Sequence, residues 1–171
     1  MPDSPQSAFL VNAQSDPVVL RIVGKASYLN CGPASQFFED LIAAGRRSFV
    51  VDFSECTGMD STFLGILAAT AMELQEFSPP GSLVLCRMSP RVKELIYNVG
   101  LHRMLTLDES DSDLGYRVQK PLNQDKEVAE QLAATSKLVL KAHEALCEID
   151  ESNVQKFQDV IAFLKQQVRD E

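Results

Sequence analysis

Apolar positions along this chain fall into short blocks that switch between strand-like and helix-like spacing. Residues 8–12 (Ala-Phe-Leu-Val-Asn) and 18–23 (Val-Val-Leu-Arg-Ile-Val) are compact apolar runs separated by the turn-forming Ser15-Asp16-Pro17. Runs bounded in this way predict strands, and Gly24 ends the second. From 34 to 44, Phe37, Phe38, Leu41 and Ile42 recur at helical spacing, with Pro33 at the first turn and Gly45 past the end. That asymmetry marks a helix. Residues 48–53 predict the next strand. Residues 63–74 predict a helix that is apolar on nearly all sides over its first two turns, and such a helix must be largely covered by other structure. Pro79-Pro80-Gly81 breaks the chain, 82–86 predict a strand, Ser89-Pro90 opens a helix that runs to Val99, and Gly100 stops it. Residues 104–107 predict a last short strand.

The order is therefore β-β-α-β-α-β-α-β, an α/β class. Strands separated by single helices are most simply parallel, joined by right-handed crossovers. The first two can pair as a hairpin, so the expectation is a mixed sheet of four or five strands. After the acidic stretch Asp108–Asp113 the composition changes. Residues 125–149 and 151–169 lack Gly and Pro. They carry one apolar stripe each, Val128, Leu132, Val139 and Leu146 in the first, and Val154, Phe157, Ile161, Leu164 and Val168 in the second. With a capping-type joint at Asp150–Asn153, these predict a C-terminal αα-hairpin. The expected layout is a flexible N-terminus at 1–7, an α/β domain at 8–110, a linker at 111–124 and the helical hairpin at 125–171. A two-helix hairpin cannot bury both stripes alone, and an isolated pair of this length is marginal. The stripes must cover either the chain's own domain or a twin; the expectation is a symmetric homodimer through the C-terminal helices.

Composition narrows the chemistry. The 171-residue chain has a formal net charge of −8, which repels nucleic-acid phosphates and anionic lipid and leaves a basic protein surface as the favoured partner. Cys31, Cys56, Cys86 and Cys147 form no CxxC pair, so free thiols are expected. The two histidines, His102 and His143, stand alone, and neither a metal site nor a cofactor is expected. The start of the chain lacks the pattern of a secretory signal. No window reaches the roughly 18 apolar residues of a membrane span. The expectation is a soluble, cytoplasmic protein.

The segment Phe49–Gly65 carries the most information: a strand ends, a polar turn follows, and Met59-Asp60-Ser61-Thr62 opens a helix. Asp60 and Ser61 are good N-cap residues, so plain capping accounts for them. A hydroxyl at a helix N-terminus is also a good place for a phosphate, because unpaired backbone N–H groups and the helix dipole favour anions there. The segment resembles the signature of STAS domains in bacterial anti-sigma-factor antagonists, a hydrophobic strand ending in Asp (Asp52 here) followed by Met-Asp-Ser-Ser/Thr-Gly-Leu-Gly. A second block, Cys86 to Leu95, is similar to the family's strand followed by Ser-Pro-x-Val-x-x-Leu. Val99-Gly100-Leu101 resembles its closing Gly-Leu.

The resemblance implies a STAS-type mixed sheet with helices and a phosphorylation-controlled protein-binding switch. In that family the unphosphorylated antagonist binds an anti-sigma factor that is also a serine kinase. Phosphorylation ejects it, and a serine phosphatase restores it. The implied acceptor is Ser61, with Thr62 as fallback and Asp60 positioning the site. Met59, Phe63, Lys25 and Ser27 are the further candidates for partner binding or positioning. Phe63 stands where the family usually has Gly, and a ring beside Ser61 is expected to narrow kinase access. Lys25-Ala26-Ser27 replaces the usual acidic turn of a loop that contributes to docking. Asp52 is expected to be structural. No enzymatic activity is expected: no histidine is expected where Ser61 would need a base, Gly-x-Ser-x-Gly is absent, and Gly24-Lys25-Ala26-Ser27 lacks the full phosphate-loop pattern. The alternative is a STAS scaffold or a small-ligand or nucleotide sensor that is never phosphorylated.

Overall fold

The computed structural model describes residues 8–110, 116–118, 120–122 and 133–171. β1 (Ala8–Asn12) and β2 (Val18–Ala26) form the antiparallel hairpin, with Phe9 opposite Ile22. α1 (Gly32–Ala43) crosses to β3 (Ser48–Met59), which lies parallel to β2. α2 (Ser61–Gln75) leads to β4 (Ser82–Cys86), parallel to β3. α3 (Pro90–Asn98) and a 3-10 turn at Leu101–Arg103 lead to β5 (Thr106–Asp108), parallel to β4. A two-residue strand, β6 (Lys120–Pro121), adds to the free side of β1. The sheet is six-stranded and mixed, in the order β5-β4-β3-β2-β1-β6. α4 (Ser136–Ile149) and α5 (Ser152–Arg169) complete the chain.

The differences from the sequence expectation have physical reasons. β6 is short and exposed, so no apolar alternation announces it. β3 runs on to Met59 because β2 continues beside it through Lys25 and Ala26, with register shifts on either side of Gly24. Gly24 has φ 82°, which a residue with a side chain adopts at a cost. The first hairpin helix begins at Ser136 among the described residues, where Thr135 caps it by accepting from Leu138 N. Residues 1–7, most of the expected linker, and Val128 and Leu132 lie outside the described residues.

The core lies between the sheet and the helices and includes Phe9, Leu20, Ile22, Phe38, Phe49, Phe53, Phe63, Leu67, Leu74, Leu85 and Ile96, all fully buried. α2 is the most enclosed helix: ten of its 15 residues are buried, so it needs cover on the side away from the sheet as well. α4 supplies that cover with Ala142, His143, Ala145 and Leu146. Gly65 marks the closest approach, because a Cβ there would overlap the backbone of Ala142. Small residues at a crossing let two helix backbones come this close. Polar ties fix the rest of the hairpin. Asn153 Nδ2 donates to Val99 O (2.8 Å) and Leu146 O (2.7 Å), Arg103 pairs with Asp150 (2.6 Å), and Lys141 Nζ lies 3.5 Å from Glu39 Oε1. The described part of the α4 stripe packs within its own chain, with Leu146 buried and Val139 half-buried, the fold-back arrangement that the sequence leaves as the second choice. α5 keeps Val154, Val160 and Phe163 exposed.

Asp52 anchors the centre of the sheet. Its carboxylate is fully buried and accepts from Arg21 Nε (2.8 Å), Arg87 Nε (3.1 Å) and Ser54 N (2.9 Å). Arg87 leaves β4 at φ 53°, a conformation non-glycine residues adopt at some cost when their surroundings fix it. Here the bidentate grip on Asp52 is that fixing contact. Burial opposes the charge on Asp52, but Arg87, the Ser54 N–H and Arg21 outweigh it and hold the carboxyl below its ordinary value. A carboxyl depressed in the folded state contributes stability that is present above its unfolded value and is lost as pH falls through the folded one. Asp52→Asn is therefore expected to cost about 3 kcal/mol at neutral pH. In urea unfolding the gap between wild type and variant narrows as pH drops below about 3.9; a gap independent of pH would deny Asp52 this role.

Candidate functional site

The site is built where β3 passes into α2. Asp60 is the N-cap of α2, extended at ψ 176°, and its Oδ1 accepts from Phe63 N at 3.1 Å. Its other oxygen accepts from Tyr28 N at 2.8 Å, and its own N–H donates to Ala26 O at 3.1 Å. One side chain thus caps the helix and ties the loop after β2 to it. That loop is ordered by its own bonds: Asn30 Oδ1 accepts from Ser27 N (3.0 Å), Asn30 Nδ2 donates to Lys25 O (2.8 Å), and Ser27 Oγ accepts from Leu29 N (3.2 Å).

The structure brings most of the expected residues together, in different roles. Ser61 is the first residue of α2 and is partly exposed. Lys25 is exposed on the neighbouring strand, opposite Gly58. Met59 and Ser27 are mostly buried beneath the site, so they support it more than they present it. Thr62 is buried at 3% exposure, which weakens it as a fallback acceptor. Phe63 differs from expectation: its ring is fully buried and stacks on Phe9 at 5.8 Å. It does not stand over Ser61, because its position on the helix faces the sheet. In its place Tyr28 and Leu29 are the exposed apolar side chains of the adjoining loop.

The residue that sequence reasoning missed is His143. Its Nε2 lies 2.8 Å from Ser61 Oγ, and its Nδ1 lies 2.7 Å from Val139 O. A carbonyl only accepts, so in the neutral ring Nδ1 carries the hydrogen and Nε2 accepts. The Ser61 hydroxyl therefore donates its proton towards His143. The imidazole is buried at 3% exposure, with the Phe157 ring against it edge to face at 5.2 Å. Eighty-two positions separate the two partners in the chain. The one local signal was a polar ring inside the stripe that runs from Val139 to Leu146.

All four cysteines are free thiols. Burial pushes Cys31 up to about 12, aided by the nearby Asp60 charge, and burial likewise pushes Cys86 up to about 12, aided by Asp52. Cys56 and Cys147 are also raised, again mainly by burial. Such thiols are poor nucleophiles. Among the described residues no group of His, Cys, Asp and Glu is placed to hold a metal ion, and no helix is long and apolar enough to cross a membrane.

The chain belongs to the STAS domain family: the family model described as "Mlab, STAS domain" matches residues 9–107. Solved structures share the fold. The unphosphorylated form of the anti-sigma factor antagonist SpoIIAA matches at 19% identity and a TM-score of 0.51, covering 60% of this chain and 89% of that one. The phosphorylated form of SpoIIAA, a Bacillus cell fate determinant, matches at 20% identity and a TM-score of 0.50, covering 61% and 94%. An anti-sigma factor antagonist from Mycobacterium paratuberculosis matches at 24% identity and a TM-score of 0.51, covering 64% and 90%.

The double use of Asp60 leads to an expected outcome. Asp60→Ala removes the cap of α2 and the tie to Tyr28 together, and is expected to cost about 1–2 kcal/mol in urea unfolding. Asp60→Asn, which keeps a side-chain acceptor, should recover part of that loss. An alanine variant as stable as the wild type would show that the cap does not hold the site.

Proposed function

We propose that this chain is a phosphorylation-controlled protein-binding switch, an anti-sigma-factor antagonist that binds an anti-sigma serine kinase while Ser61 is unphosphorylated. The observation that carries this reading is the place of Ser61. It is a partly exposed hydroxyl on the first residue of α2, held by a cap that also orders the neighbouring loop. A phosphate there adds about two negative charges beside the Asp60 carboxylate and the exposed Tyr28–Leu29 edge, so a partner that fits the neutral hydroxyl no longer fits. The existence of SpoIIAA structures in both unphosphorylated and phosphorylated forms supports a fold that accommodates both states.

The partners in this reading are the anti-sigma kinase, which transfers the γ-phosphoryl of ATP to Ser61 Oγ, and a serine phosphatase that removes it. The setting is the cytoplasm, and the protein itself is not an enzyme. Asp60 already occupies the Phe63 N–H, one of the donors that an oxyanion would need if Ser61 were a nucleophile. A homodimer through the C-terminal helices would have to use the outer face of α5, since the α4 stripe lies on α2.

A second reading has one observation in its favour. The bond from Ser61 to His143 would also suit a STAS scaffold in which that serine is structural and never modified.

The test is phosphate transfer from labelled ATP by a histidine-kinase-like serine kinase of the same organism. Wild type is expected to be labelled at Ser61. Ser61→Ala should keep the fold and lose the label, and Ser61→Asp should weaken kinase binding only in part, because a carboxylate carries less charge than a phosphate. Full labelling of Ser61→Ala would overturn the assignment, and no labelling of either protein would favour the scaffold.

A further inference from the structure

We infer that the C-terminal hairpin is a built-in cap over the switch, and that modification of Ser61 and seating of α4 on α2 exclude each other. The inference rests on the reading of Ser61 as the modified hydroxyl and adds how that hydroxyl is regulated. Three contacts carry it. Ser61 Oγ gives its hydrogen to His143 Nε2 at 2.8 Å, and the ring is held from behind by Val139 O at 2.7 Å. One turn further along α2, Gly65 lies directly against the Ala142 backbone. Before α4 begins, Ala134 N donates to Tyr28 O at 2.6 Å, so the exposed loop beside the site is also tied to the hairpin.

With α4 seated, these contacts occupy the direction in which Ser61 Oγ points. Phosphorylation replaces the very hydrogen that Ser61 shares with His143 by a phosphorus atom bearing three further oxygens. With α4 seated, the imidazole stands in that direction, closed in by Phe157 and 3% exposed. On this rotamer the phosphoryl group and the seated ring cannot share the space, so transfer breaks the Ser61–His143 bond and with it one of the contacts that seat α4.

The hairpin is also built to move as one piece. Near the joint between its helices the hairpin is tied to the rest of the chain by polar contacts: Asn153 to Val99 O, Arg103 to Asp150, and Lys156 to Asn98 O, while Asn153 to Leu146 O joins the two helices to each other. α5 touches the rest of the chain mainly through α4. Release of the pair leaves the sheet intact and uncovers α2.

Linkage makes the inference testable without a kinase, because two states that exclude each other do so in both directions. The measurement is amide hydrogen exchange on the full chain, comparing residues 136–149 with β2, β3 and β4. Ser61→Asp, which places a charged group at the acceptor, is expected to speed exchange over 136–149 by about tenfold or more while the strands keep their protection. Gly65→Ala, which pushes on the Ala142 backbone, should release the same residues with Ser61 intact and serves as the positive control. If Gly65→Ala also exposes the strands, Asn153→Ala, at the joint of the hairpin, takes its place. The inference is overturned if 136–149 stay as protected in Ser61→Asp as in wild type, or become more so through an ion pair with His143. It is equally overturned if no variant releases them. Failure here would leave the labelling of Ser61 by a kinase untouched. Failure of that labelling would leave the exchange result standing.

Discussion

The arrangement depends on one constraint: α2 is apolar on nearly every side, and in the resting chain both of its faces are covered. The sheet takes one face through Phe63, Leu67 and Leu74. The other face carries Gly65 and is closed by α4. Burying that second face stabilises the chain by about 25 cal/mol per Å² of apolar surface removed from water, which offsets the ordering of a helix pair that would be marginal alone. Once α4 lies across α2, the position of His143 follows from its place on the stripe. Its ring is brought to a polar group at that end of the helix, the Ser61 hydroxyl.

Much of this was legible in the chain. The alternation of apolar blocks gave the β-β-α-β-α-β-α-β order, and Ser82–Cys86 is a strand with the same bounds as its apolar run. Pro33 and Pro90 sit in the first turns of α1 and α3 as helix-start chemistry requires. The role of Asp60 as a cap followed from its residue type and its place before an apolar run. The apolar character of α2 even stated that something must cover it.

The rest depended on distance in the chain. Nothing local links Ser61 to His143, and a histidine inside an apolar stripe reads as a packed core residue until its partner is seen. The choice between a twin and the chain's own domain turned on how much apolar surface the α/β unit leaves open. The all-round character of α2 held that answer, with Gly65 as the sign of a close backbone approach. Phe63 misled for the opposite reason: its difference from the family pattern drew attention to the surface, while its helical position points it at Phe9. β6 has two residues and no pattern to read.

The account stands or falls on whether α4 covers α2 of its own chain. The ion pair between Lys141 on α4 and Glu39 on α1, 3.5 Å apart, allows a direct test. Isotopically light and heavy chains are mixed, refolded together and joined with a zero-length carbodiimide cross-linker, and the Lys141–Glu39 peptide pair is weighed by mass spectrometry. Folding back predicts pairs that are wholly light or wholly heavy. Light–heavy pairs in statistical proportion would mean that α4 packs on a neighbouring chain and would contradict the account.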